Sequence, residues 1–85
     1  MDYNNLDKFM NYLKENVKLV RVGVVFNALK HNGEFKSFLG IKKLRKSVIY
    51  NYSKKGIILG KGKLVIYDPD EVRKLADEFF KDLIR

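Results

Sequence analysis

Lys42, Lys43, Arg45 and Lys46 fall within five residues, Ser47 and Tyr50 follow, and Lys54 and Lys55 come next. All of these side chains donate hydrogen bonds, and the charged ones share one sign. Such a set can neutralise phosphate and displace its counterions. The set sits in a wider bias. From Lys30 to Lys63 there are ten basic residues and one acid, Glu34, a net +9. The remaining residues hold eight bases and nine acids, a net −1, so the middle of the chain carries almost all of the formal +8. A chain charged this way is suited to an anionic partner, and nucleic acid is the commonest.

Catalytic chemistry lacks its parts. The chain has no Cys and one His, and Ser37, Ser47 and Ser53 have no neighbouring base in sequence. Disulfides and thiolate metal sites are excluded, and no cofactor or metal is expected. His31 stands where a helix should end, which suits capping or the helix dipole better than ligation. Gly60-Lys61-Gly62 offers a G-x-G between two apolar runs. A turn needing positive φ explains it better than a phosphate cradle. Asp68, Asp70 and Glu71 cluster, but as helix-starting residues rather than as a cation site.

The elements that must hold these residues are read from periodicity. Eighty-five residues, 46% apolar, allow one domain with a small core, residues 1–85. Leu6, Phe9, Met10, Leu13 and Val17 mark one face of a helix over about Asn5 to Asn16. Lys18 to Val22 is a short strand or an extended link. A second helix is expected over Val24 to His31, stopped by Asn32-Gly33. Glu34 to Leu39 gives a turn or two of helix, broken by Gly40. A third long helix is expected over 41–54, with Ile41, Leu44, Val48 and Tyr52 inward and Lys43, Lys46, Ser47, Tyr50 and Lys54 outward. Two β-rich runs within 57–67, around Gly60-Lys61-Gly62, read as a hairpin with a basic tip formed by Lys61 and Lys63. Asp68 caps a last helix with Pro69 at its first position. The expected class is α+β, mostly α, with a two- or three-stranded β-wing and a C-terminal helix.

Helix, break, helix and basic hairpin follow one another from Phe38 to Leu75, FLGIKKLRKSVIYNYSKKGIILGKGKLVIYDPDEVRKL. This stretch, about half the chain, resembles the winged helix-turn-helix DNA-binding superfamily, in particular the MerR and excisionase type. The shared features are a Leu-Gly turn, a recognition helix, a Lys-Gly-Ile exit, a Gly-containing wing, and Tyr-Asp-x-Asp-Glu-Val-x-x-Leu opening the next helix. In size and composition the chain is also similar to small winged-helix regulators of archaea and their viruses. The resemblance implies a transcriptional regulator, repressor-like, that binds double-stranded DNA. The recognition helix 41–54 would enter the major groove and the wing would touch the backbone or minor groove. Its contacts would be Lys42, Lys43, Arg45, Lys46, Ser47, Tyr50, Lys54, Lys55, Lys61 and Lys63.

The last helix has seven apolar positions in a wide stripe. Leu75, Phe79, Phe80 and Leu83 are therefore candidate contacts of a homodimer, which would set two recognition helices ~34 Å apart on a pseudo-palindromic site. Other readings are an excisionase-like or replication-linked architectural protein, a module that binds an acidic protein, and, lower, an RNA binder. No run reaches a membrane span and the N-terminus has no signal-peptide layout, so a cytoplasmic, intracellular place is expected.

Overall fold

The computed structural model describes residues 4–52, 57–59 and 65–83. The class is α+β and mostly α. The order is α1 (Asn4–Asn16), β1 (Leu19–Arg21), α2 (Val22–Lys30), α3 (Gly33–Leu39), α4 (Lys46–Tyr50), β2 (Ile57–Leu59), β3 (Val65–Ile66) and α5 (Pro69–Leu83).

The core follows the helical stripes. Leu6, Phe9, Met10, Leu13 and Val17 of α1 are all fully buried, as their spacing requires. They meet Val25, Ala28 and Leu29 of α2, Phe35 and Leu39 of α3, and Val72, Ala76 and Phe79 of α5. Aromatic rings tie these helices together. Phe9 lies edge-on to Phe35 at 5.1 Å between centroids and 5.4 Å from Phe79. Phe38 meets Phe80 edge-to-face at 4.4 Å. Such pairs contribute ~0.5–1.5 kcal/mol beyond area burial.

The ends of the helices are set by local chemistry. The Asp68 carboxylate accepts from the Asp70 amide at 3.0 Å, with Pro69 first in α5, as expected from the sequence. Asn32 starts α3 as well as following α2. Its side chain accepts from the Phe35 amide at 2.9 Å. Gly40 ends α3 at φ 72°, a left-handed conformation that glycine adopts without steric cost.

The structure corrects two expectations. Helix 41–54 does not start at Ile41. After Gly40 the Ile41 amide folds back on the Lys36 carbonyl at 3.1 Å, closing α3 in a Schellman-type end. Ile41 and Leu44 then plug the core from a non-helical stretch, and α4 spans only Lys46–Tyr50. Within α4 the fully buried residue is Ile49, whereas Val48 is half-buried. The four-residue stripe read from the sequence joined two plugs of a loop to one flank of a short helix.

The second correction concerns the wing. β2 and β3 do not pair with each other. β1 lies between them, antiparallel to β2 and parallel to β3. Val20 pairs with Ile58 on one side and Ile66 on the other, and it is fully buried. Inserting β1 turns an isolated two-stranded ribbon, marginal in water, into a three-stranded sheet seated on the core. The outer strands then stand about twice the ~4.8 Å strand spacing apart. The Gly60-Lys61-Gly62 turn itself lies outside the described residues.

Candidate nucleic-acid interface

Burial of the apolar residues of the segment from Ile41 to Tyr50 decides where its polar ones go. With Ile41, Leu44 and Ile49 turned into the core, Lys42, Lys43, Arg45, Lys46 and Ser47 are all exposed. Tyr50 is 46% exposed. Lys46 and Tyr50 stand four residues apart on one helical face. Arg45 occupies the N-cap of α4 in extended conformation without a capping side chain. Among the described residues the ion pair present is Arg73–Asp70, at 2.6 Å on α5, and no carboxylate pairs with Lys42, Lys43, Arg45 or Lys46.

Two concave surfaces bracket this segment. One, of about 430 Å³, is lined by Arg21, Val22, Gly23, Val24 and Asn27 from the β1–α2 junction and by Lys46 and Tyr50 from α4. The other, of about 560 Å³, includes Lys36, Ser37, Gly40 and Lys42 along α3 and the turn after it. The structure therefore brings Lys46 and Tyr50 together with Arg21 and Asn27, and Lys42 together with Lys36. Lys43, Arg45 and Ser47 stand exposed on the stretch before α4 and on its first turn, outside the lining of both. Lys54, Lys55, Lys61 and Lys63 lie outside the described residues.

Arg21, Gly23 and Asn27 are absent from the contacts expected from the sequence. They precede the basic segment, so a window of linear charge passes over them. The one hint is Gly23, a glycine within an otherwise apolar helical run.

α4 is fixed from a third direction. The Tyr52 hydroxyl donates to the Asp7 carboxylate of α1 across the molecule. His31 is the exposed C-cap residue of α2, where the sequence put it. No group of three or more His, Cys, Asp or Glu residues that could hold a metal occurs among the described residues. No described helix is long and apolar enough to cross a membrane.

The candidate dimer stripe divides. Phe79 is 8% exposed and packs on Phe9 and on Tyr12, both at 5.4 Å. It therefore belongs to the intramolecular core, a correction to its expected place in a dimer contact. The width of the α5 stripe comes from its contacts with both α1 and α2. Leu75, Phe80 and Leu83 are half-buried against the same core.

Comparison with known proteins finds a relative. Over 85 residues, 100% of this chain and 99% of the relative, the sequence is 76% identical to "Uncharacterized protein ORF86" of Acidianus bottle-shaped virus (isolate Italy/Pozzuoli). No protein-family model matches the chain, and no solved structure matches it.

Proposed function

This chain belongs to the family of the Acidianus bottle-shaped virus ORF86 protein, and we propose that it binds double-stranded DNA as a small, repressor-like transcriptional regulator. The observation that carries the proposal is the exposed run Lys42, Lys43, Arg45, Lys46, Ser47 and Tyr50, with no carboxylate paired to its four cations among the described residues. Like charges held side by side repel each other. A fold that plugs Ile41, Leu44 and Ile49 into its core, and so keeps those charges outside, is suited to a polyanion.

The α3–turn–α4 unit acts as a helix-turn-helix of the winged superfamily. Ser47 and Tyr50 meet base edges, while Lys42, Lys43, Arg45 and Lys46 meet phosphates. Lys54, Lys55, Lys61 and Lys63 add charge from the same stretch of sequence. Two copies joined through Phe80 and Leu83, the half-buried part of the α5 stripe, present two α4 helices to one face of the duplex. Leu83→Asp then lowers the sedimentation coefficient to that of a monomer; unchanged sedimentation removes α5 from a dimer contact.

The test of DNA binding is a titration of labelled duplex across a salt series. Binding weakens with a log–log slope of about −0.9 for each phosphate neutralised. Lys43→Ala with Lys46→Ala lowers affinity and reduces that slope by about 2, with the circular dichroism spectrum unchanged. Affinity equal to that of the wild type takes the turn and α4 out of the interface.

One observation favours a second reading. At five residues, α4 offers few side chains to base edges. That suits an architectural protein, excisionase-like or replication-linked, which binds by backbone contact and bends its site. Footprinting separates the two: a regulator protects promoter sequences, and an architectural factor protects recombination or origin sites with phased hypersensitivity.

A further inference from the structure

Gly23 has no structural reason to be glycine. It lies in the first turn of α2, and the positive-φ glycine among the described residues is Gly40, not Gly23. A Cβ at Gly23 would meet nothing within 4 Å. Alanine there would favour the helix by ~0.5–1 kcal/mol. What glycine does provide is depth. It lines the concavity of about 430 Å³ between the β1–α2 junction and α4, together with Arg21, Asn27, Lys46 and the half-exposed Tyr50. Two cations from elements 25 residues apart in sequence thus converge on one hollow that a side chain would partly fill.

We infer that this hollow seats one strand of the duplex backbone, with Arg21 and Lys46 on either side of a phosphodiester group and Gly23 giving the room for its close approach. The inference rests on the DNA-binding proposal above and extends the interface to residues upstream of the basic segment. Asn27 donates to the phosphate or sugar oxygens, a contact that fixes register without reading sequence. Arg21 suits a phosphate because its planar fork can give two parallel hydrogen bonds.

The experiment sets stability against binding in the full chain. Gly23→Ala keeps or raises the thermal midpoint yet weakens duplex binding several-fold, a combination that a purely structural glycine does not give. Gly23→Leu weakens binding further. Arg21→Ala costs roughly tenfold, about one charge-assisted hydrogen bond, and lowers the salt slope by about 1. Lys81→Ala, the same charge change on α5, leaves affinity within twofold. If Gly23→Leu fails to fold by circular dichroism, Gly23→Ala and Arg21→Ala decide. Wild-type affinity in both of these, while Lys43→Ala with Lys46→Ala still loses binding, overturns the hollow and leaves the DNA-binding proposal standing. A wild-type protein that does not bind duplex overturns both. Equal binding of a single strand, equally sensitive to Gly23, overturns the assignment to a duplex.

Discussion

Helix α5 and the segment from Ile41 to Tyr50 treat charge in opposite ways. α5 runs for fifteen residues with five acids and three bases interleaved, and Arg73 reaches back to Asp70. Its buried residues Val72, Ala76 and Phe79 form a continuous stripe. The segment from Ile41 to Tyr50 has four bases and no acid, and only its last five residues are helical. It is held by Ile41, Leu44 and Ile49 and by a glycine turn at its start. α5 would be stable on almost any small domain. The other segment concentrates repulsion on its surface and relies on a few apolar anchors to hold it in place. A structure selected for stability alone would mix the charges there as it does on α5, so the contrast points to the surface where function is expected.

The largest effect that could break this contrast is loss of an anchor. Ile49 is fully buried and is the buried residue of α4. Ile49→Ala should cost ~2–5 kcal/mol, the range for a large-to-small change in a packed core. Because Ile49 is the fully buried side chain of α4, DNA affinity should fall along with the denaturation midpoint. If Ile49→Ala unfolds at the wild-type midpoint, the segment is held by something other than its plugs.

A smaller effect separates the turn from the anchors. Gly40 sits at φ 72° with open space where a Cβ would stand, so a methyl group there meets strain rather than a clash. Gly40→Ala should cost ~1–2 kcal/mol, the penalty for a left-handed residue with a Cβ. The same change at Gly23 should be neutral or favourable, since its φ is not in that region. Equal effects at the two glycines in chemical denaturation would show that the turn is not conformationally demanding.

The same contrast accounts for what the sequence made legible. α1 and α5 were readable because each is long enough for its stripe to repeat, and Asp68-Pro69 marks the start of α5. Between Ile41 and Tyr52 the spacing imitated a helix because a loop plug at Ile41 and another at Leu44 happen to precede Val48 by helical intervals. Gly40 was visible, but not that the next amide would close on Lys36 and keep Ile41 out of any helix. The two later strands were recognisable as strands, whereas Lys18 to Val22 read as a short strand or an extended link. The strand order was not recognisable, because Val20 chooses Ile58 and Ile66 as partners through contacts far apart in the chain. The cluster of cations at Lys42, Lys43, Arg45 and Lys46 was visible in the sequence, and spacing put Lys43 and Lys46 outward, while Arg21 and Asn27 join Lys46 only through the fold.

The smallest effect tests the acid-bearing side. Tyr12 of α1 packs against Phe79 of α5, and burial, with Glu78 and then Asp82 nearby, raises its phenol above the ordinary value of 10.0. A group whose pKa is higher in the folded than in the unfolded chain leaves stability unaffected below its unfolded value. Above pH 10.0 the unfolded chain releases the proton first, so stability falls as pH rises toward the folded value. Tyr12→Phe keeps the ring and removes the titration. Its stability relative to wild type should therefore be independent of pH up to about 10 and should improve beyond it, measured as the difference in denaturation midpoint. A flat difference between the two proteins above pH 10.0 would mean that neither the burial of Tyr12 nor the nearby Glu78 and Asp82 of α5 raises its phenol.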